Sequence, residues 1–419
     1  MSQRLACFTP LSRLRWSAMR YVVLTLVCLA CVVAYVQRTA LTVPTRSIQA
    51  DIGIDERQMG LVMGCWYWAY ALLQIPAGWA TDRLGSKLAM LLFVVAWSLL
   101  TGLAGLATGF AELLVFWSLM GLAQTGLVPG AAKSIAQWFP STGRAFGSGM
   151  VGSSMALGGA LAPLVAAWLL YWFTWRQMLG LYVLPGLVWA FWFLVIVPTH
   201  HGRPGPPVPF RSTFARMAAS PPMILLCAQQ FFRAAAMALF FTWFPRFLQE
   251  SFAVSESESG QFAMWPGLAA MVGGVFGGLV SDAILDRTGN RRLSRQGVAV
   301  AGMFCCAGFA LAAYLLADVR SAILLISIAA FCGTFGGVSG YSVCIDFGGQ
   351  RVGTVISVMN MCGNVGAGMF PLAVGHLVTR TGRWDLVLPL FAVIFFIDGV
   401  CWAFLNPSRP LFEDDDGPR

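Results

Sequence analysis

Apolar residues run through this chain in stretches of roughly 20 to 30, each long enough for a helix that crosses about 30 Å of hydrocarbon. Six such runs fall at roughly 19–47, 58–80, 87–109, 111–138, 145–172 and 175–198. Six more fall at roughly 221–249, 258–282, 296–317, 320–346, 352–379 and 384–405. The only sizeable polar stretch, 199–220 with GRPGPPVP inside it, divides the two sets. The pattern predicts an all-α membrane protein with twelve transmembrane helices in two pseudo-symmetric six-helix bundles. Residues 1–198 would form the first bundle, 199–220 a linker, and 221–419 the second bundle with a short tail.

The polar breaks carry a repeat. Gly78 to Lys87 reads GWATDRLGSK, and Gly278 opens GLVSDAILDRTGNRR at the matching place in the second half. A Gly-x-x-x-Asp followed by cations, between two apolar runs, is a tight charged turn joining two membrane helices. Its recurrence is the internal symmetry on which many transporters are built. Asp82 and Asp282 each end a span. A carboxylate there can accept hydrogen bonds from the free amides of a neighbouring helix N-terminus and pair with a nearby Arg. The plainer alternative is a hydrophilic loop that merely follows charge bias.

Composition agrees with the spans. Hydrophobic residues make up 58% of the chain and charged residues 11%, with a mean hydropathy of +0.72. A soluble core of this length does not have that balance. The eleven Cys are scattered through apolar stretches as small hydrophobes. Cys28 and Cys31 form a C-x-x-C within a predicted helix, with no second pair or nearby His, so neither metal nor redox chemistry is expected. The net charge of +9 reads as topology rather than a nucleic-acid patch. A cytoplasmic N-terminus puts seventeen cations inside and seven outside, which places both termini and the linker in the cytoplasm. Residues 1–36 imitate a leader, but the apolar run continues past Arg38 and reads as a first span.

Two cations stand apart from the loops. Arg38 follows TLVCLACVVAYVQ, and Arg233 lies in CAQQFFRAAAMALFFTW. An arginine deep in a span costs at least about 2.5–3.5 kcal/mol on insertion scales, so it needs a polar cavity or an anionic partner. These two occupy the first and seventh spans, the matching first helices of the two halves. They are expected to converge on one anion, since the planar guanidinium suits a carboxylate bidentately. The alternative is internal pairing, for which Asp346 and Asp398 are the acids available within spans.

Five segments in order, covering nearly the whole chain, resemble the major facilitator superfamily and more narrowly its anion:cation symporter family. They are GWATDRLGSK (with Ser86 where an Arg is usual), WYWAYALLQIPAGW from Trp66, PGAAKSIAQWFPSTGRAFG from Pro129, TWFPRFLQE from Thr242 and DFGGQRVGTVISVMNMCGN from Asp346. The resemblance implies a conformational latch at Gly78, Asp82, Arg83 and Gly85, to which Asp282 and Arg144 are added here as cytoplasmic-gate residues. Tyr35-Val36-Gln37-Arg38 resembles the first-span Tyr-x-Asp-Arg, whose Arg is implied to hold the substrate carboxylate. Arg233 matches a seventh-span Arg of the vesicular glutamate transporter and sialin branch, not of the organophosphate carriers. Tyr70, Tyr341 and Asn360 match positions implied to read substrate hydroxyls, with Gln229, Ser154 and Asn364 as weaker candidates. Lys133 is expected to snorkel to the cytoplasmic face.

Two departures matter. Gln37 and Gln124 stand where many members carry Asp and Glu, the carboxylates implied to bind a coupled proton. An amide keeps the shape but does not titrate. Coupling then uses another group, or transport depends weakly on the proton gradient; Asp346, Asp398 and His376 are the remaining titratable candidates.

Together these readings predict a secondary active transporter of a small organic anion (sugar acid, hydroxy acid or mono- or dicarboxylate) working by rocking-type alternating access. Arg38 and Arg233 form the anion clamp. The expected partners are that anion, a coupled cation left open between proton and sodium, and the lipid bilayer of a bacterial inner membrane; a monomer is expected. No cofactor, nucleic acid or enzymatic activity is implied. The competing readings are a transporter-like receptor for the anion and an uncoupled facilitator of a neutral solute.

Overall fold

A computed structural model describes residues 10–198, 210–254 and 256–408. Among the described residues seventeen α-helices follow one another. In the first half they are α1 (Pro10–Arg38), α2 (Thr45–Ile52), α3 (Glu56–Leu84), α4 (Ser86–Ala104), α5 (Phe110–Gln124), α6 (Leu127–Trp138), α7 (Arg144–Trp172), α8 (Trp175–Leu181) and α9 (Val183–Ile196). The remainder are α10 (Phe210–Ala218), α11 (Pro221–Thr242), α12 (Phe244–Phe252), α13 (Glu256–Thr288), α14 (Val298–Tyr314), α15 (Val319–Gly348), α16 (Val352–Thr381) and α17 (Val387–Phe404). There is no strand among the described residues. Part of the expected linker, 199–209, and the acidic tail, 409–419, lie outside the described residues, as does Arg4.

By length and apolarity ten stretches of the described chain can cross a membrane. One of these, Val319–Thr381, is two helices, because Gly349 at φ 53° ends α15 and a short 3₁₀ turn starts α16. The long α3 is less apolar, because Trp66, Tyr67, Trp68, Tyr70 and Gln74 interrupt its centre and Asp82 and Arg83 sit in its last turn. Several predicted spans are broken. The first ends at Arg38, not at residue 47: a turn over 39–44 follows, and Pro44, at the N-cap of α2, disfavours helix at the residue before it. The fourth splits at Thr125–Gly126 into α5 and α6, the sixth at Tyr182 into α8 and α9, and the seventh at Trp243 into α11 and α12. Large apolar side chains such as Trp68, Leu72, Trp168, Tyr171 and Phe404 cover the outside. That surface suits lipid and would be untenable in water.

Within the first half, α1 packs on α7, α3 on α5, and α4 on α5 and α9; within the second, α13 and α14 pack on α15, and α11 on α16 and α17. The two halves meet chiefly through α7 against α13 and α3 against α16. Both contacts depend on the repeated motif. Its Gly and Asp are four apart, hence on one helix face. A Cβ on Gly78 would lie 2.3 Å from the carbonyl oxygen of Gly353, and one on Gly278 would lie 2.5 Å from that of Ala145. Bare backbone at these positions lets the N-terminus of a helix from the other half come close enough for the Asp to cap it.

Candidate functional site

Both aspartates of the repeated motif cap a helix of the opposite half. Asp82 accepts from the amides of Gly353 (2.9 Å) and Thr354 (2.8 Å) and from the Thr354 hydroxyl (2.8 Å), at the start of α16. Asp282 accepts from the amides of Phe146 (2.7 Å) and Ala145 (3.3 Å), at the start of α7. Each carboxylate also holds a cation. Lys133 reaches Asp82 at 3.0 Å and its carbonyl at 2.8 Å, so it is a partner of the motif and does not snorkel outward as its position suggested. Arg295, fully buried, binds Asp282 at 2.8 Å and crosses to the Ser141 carbonyl at 2.6 Å. Arg144 bridges the halves to Asp346 at 2.5 Å. Negative charge at helix N-termini and charge-assisted bonds both favour this closed arrangement.

Arg83 and Gly85 do other work. The Arg83 guanidinium stacks on the Trp79 ring, 4.2 Å from its centroid. Gly85 takes φ 80° between α3 and α4, a conformation that disfavours side chains.

Away from that face, Arg38 sits at the C-terminal end of α1 rather than mid-helix. Its guanidinium carbon lies 4.3 Å from the Tyr35 and Trp66 ring centroids and 4.8 Å from that of Tyr70. Trp66 and Tyr70, one turn apart on α3, are stacked at 5.0 Å, and the Trp66 indole is fixed toward the Met120 sulfur. Three ring faces stabilise a cation without neutralising it. Arg38 Nε donates to Gln124 Oε1 at 3.3 Å, and Gln124 Nε2 donates to the Ala34 carbonyl at 2.9 Å. Arg38 Nη2 is buried with no acceptor. Tyr35 and Trp66 were visible in the motifs without being assigned a role; the i−3 spacing of Tyr35 from Arg38 was the available signal.

Gln37 separates from this group. It is buried and donates to the Tyr182 carbonyl at the α8–α9 break. Of the two amides in place of family acids, only Gln124 touches Arg38.

Arg233 lies on α11. It donates to Gln230 one turn earlier, and its guanidinium carbon is 5.8 Å from the Tyr341 ring centroid. Gly337 on α15 leaves room for its stem, since a Cβ there would be 2.8 Å from Arg233 Cδ. Arg233 Nε is buried without an acceptor. Tyr341 also borders a small gap lined by Ala132 and Ile135 of α6 and Val151 and Met155 of α7, so it reaches the other half. Tyr35 and Tyr341 are within electrostatic reach of one another. Arg38 is thus lined by Tyr35 in the first half and Arg233 by Tyr341 in the second. Asn360 is partly buried on α16, where its carbonyl accepts from Asn364 at 2.8 Å. Its side chain makes no hydrogen bond to either arginine among the described residues. Among those residues, too, neither arginine forms an ion pair in this arrangement; Asp398 is the acid within electrostatic reach of Arg233.

Two helical halves related by a repeated capping motif match a known sequence profile. That of the Major Facilitator Superfamily covers residues 24–371. The chain belongs to the major facilitator superfamily. As a superfamily member it is an integral membrane transporter and not an enzyme.

Within the superfamily it is 28% identical over 416 residues to a protein of Cupriavidus necator named a probable sulfoacetate transporter, covering 95% of this chain and 96% of that one. It is 29% identical over 372 residues to the hexuronate transporter of Bacillus subtilis, covering 85% and 87%. It is 26% identical over 410 residues to a D-galactonate transporter of Escherichia coli, covering 92% and 95%. Among solved structures, the E. coli fucose:proton symporter superposes with a TM-score of 0.74 at 14% identity, covering 92% of this chain and 99% of that one. The human organic anion transporter MFSD10 gives 0.73 at 16%, covering 91% and 99%. These likenesses establish the fold.

Proposed function

We propose that this superfamily member carries a small organic anion, of the sugar-acid, hydroxy-acid or short mono- or dicarboxylate class, by rocking-type alternating access. The observation that carries the reading is Arg38. Its guanidinium is held by three aromatic rings and an amide, with a buried donor left without an acceptor. Rings and an amide orient the cation but leave its charge for a guest. Arg233, with its own open Nε, is the second donor from the opposite half. Tyr70 and Tyr341 shape the walls, and Asn360 offers an amide for hydroxyls. Relatives named for sulfoacetate, hexuronate and galactonate transport carry anions of this size, which supports the class.

The halves 1–198 and 221–419 would rock as bodies, joined by 199–220. Gly78, Asp82, Arg83, Gly85, Arg144 and Asp282 form the gate, shut in this arrangement and opened when the α7 and α16 caps are released. The cation bias supports a cytoplasmic side for that gate and for both termini in a bacterial cell, so that with the gate shut the substrate site would be reached from outside. A monomer suffices, since both arginines come from one chain. Gln37 and Gln124 cannot carry a proton, so neither supplies proton coupling.

Thermal-shift measurements on purified protein with D-glucuronate, D-galactonate and sulfoacetate test the clamp. At least one anion is expected to stabilise the wild type while leaving Arg38→Ala and Arg233→Ala unmoved. Equal stabilisation of the variants, or stabilisation only by neutral sugars, removes the proposal. Flux of the stabilising anion in proteoliposomes then separates carrier from receptor.

A further inference from the structure

The second half contains a buried acid that the anion clamp does not use. Asp398 on α17 is 0% exposed, and among the described residues both of its carboxyl oxygens lack a hydrogen-bond partner. It is not a stray polar residue on a lipid-facing side. Phe391, Phe395, Asp398 and Trp402 follow the 4-3-4 spacing of one helix face, and all four are buried. That face is turned inward.

Register decides what Asp398 meets. The Phe240 ring on α11 packs on the Phe391 ring of α17 with centroids 5.6 Å apart. The two helices run antiparallel, so two turns back along α11 and two turns on along α17 bring Arg233 level with Asp398. The side chains lie within electrostatic reach without forming an ion pair. Around the carboxyl, α14 contributes Cys306 and α17 itself contributes Cys401; neither is a charged partner. The turn Arg292–Gly297 meets α17 beyond it, where Gln296 donates to the Trp402 and Ala403 carbonyls and holds Arg292. Arg233 is therefore the one cation that faces Asp398 among the described residues. The other candidates do not share this setting: Asp346 is tied to Arg144 and His376 is exposed.

We propose that Asp398 is the proton-binding group of this carrier, holding its proton while Arg233 faces the substrate and releasing it when Arg233 turns back. An ionised carboxylate left in an apolar interior without hydrogen bonds is strongly disfavoured, so the unpaired arrangement described here is that of the neutral acid. When the proton leaves for the water of the crevice, the carboxylate remaining needs a cation, and Arg233 is the one at hand. Asp398 and the substrate anion then compete for one guanidinium. Protonation of the first favours binding of the second, which is proton–anion symport. The device does for Arg233 what the missing acids at Gln37 and Gln124 cannot do for Arg38. It replaces the weak gradient dependence expected from those two amides by coupling through the second half. The inference rests on the reading of Arg233 as an anion ligand.

Two measurements test it. In proteoliposomes with the membrane potential clamped, an inward gradient of about one pH unit drives up to about tenfold accumulation for one coupled proton. With radiolabelled D-glucuronate and sulfoacetate as probes, the wild type is expected to accumulate. Asp398→Asn, a mimic of the neutral acid, is expected to lose accumulation yet keep equilibrium exchange, which needs no proton movement. Independently of any substrate, infrared difference spectra of the wild type should show a protonated-carboxyl C=O band that bleaches as pH rises and is missing from Asp398→Asn. Accumulation by the variant, or no such band in the wild type, overturns the proposal. If neither probe is exchanged by the wild type, the substrate reading fails and the infrared band alone decides on Asp398.

Discussion

Arg38 and Gln124 meet through one hydrogen bond, Nε to Oε1 at 3.3 Å, while the far end of the amide is fixed on the Ala34 carbonyl at 2.9 Å. The amide thus sets the guanidinium's angle without cancelling its charge. Gln124→Glu keeps the shape and adds a carboxylate, which competes with the substrate for Arg38. Hydrogen bonds to charged groups contribute about 1.5–3 kcal/mol, so apparent affinity for the anion should fall by about ten- to hundredfold at pH 8. The introduced carboxyl becomes neutral as pH falls, which frees Arg38, so the deficit should shrink toward pH 5. Binding isotherms of variant and wild type at both pH values check this. A deficit that is constant with pH would show that packing, not charge, is responsible.

The ring cage predicts a difference between cations. Arg38→Lys keeps a positive charge, but a point ammonium neither lies flat between Tyr35, Trp66 and Tyr70 nor offers paired donors to a carboxylate. Anion affinity is expected to drop at least about tenfold, the scale of one charged hydrogen bond. Trp66→Leu, with Arg38 intact, should cost less, on the order of the 0.5–2 kcal/mol of one cation–π contact. The order of the two losses, read by thermal shift with the stabilising anion, is the check. A Lys variant as good as wild type would remove the bidentate role.

The sequence announced some of this and concealed the rest. Spans, repeat and the two arginines are one-dimensional signals: apolar length, a recurring Gly-x-x-x-Asp and charge where none is tolerated cheaply. What the motif does across halves was half legible. Asp82 and Asp282 were expected to cap helices, yet which helices depends on packing no local pattern encodes. Lys133 illustrates the limit. Near a span end it resembles a snorkelling lysine, and only the approach of α3 and α6 turns it onto Asp82. Arg295 looked like one more inside cation until burial set it on Asp282. Gln37 and Gln124 were read as a pair, but they point to different neighbours. Arg38 lies within an apolar stretch that does not pause there, yet the helix ends at Arg38 and a turn over 39–44 leads to Pro44 at the N-cap of α2.

The closed gate predicts a population shift. A Val at Gly78 would drive its Cβ into the Gly353 carbonyl, where backbone on both sides leaves little to yield. Asp82→Ala instead removes the caps of α16, worth about 1 kcal/mol, and about fivefold in the balance of closed and open forms. Both variants are expected to separate the halves at this face, Gly78→Val the more. Spin labels at positions 83 and 350 in a cysteine-depleted background measure it, through growth of the long-distance population. An unchanged distance distribution in both would show that the gate is held elsewhere.

Arg295 gives the sharpest stability prediction, because burial decides the sign. Its Nη1 binds Asp282 and Ser281, and its Nη2 crosses to the Ser141 carbonyl of the other half, all inside the protein. Arg295→Met fills similar volume but strands the Asp282 carboxylate with two amide donors. Removing one partner of a buried pair costs about 3–5 kcal/mol, against about 0–1 kcal/mol for an exposed one. At about 2–4 °C per kcal/mol for a body of this size, the melting temperature should fall by roughly 6 °C or more. Adding Asp282→Asn to Arg295→Met removes the stranded charge while an amide oxygen still caps α7. The double variant is therefore expected to melt higher than Arg295→Met alone. Thermal unfolding of the two variants in the same detergent decides the matter: a double variant less stable than the single would mean that Asp282 is held mainly by the α7 amides, with Arg295 an accessory.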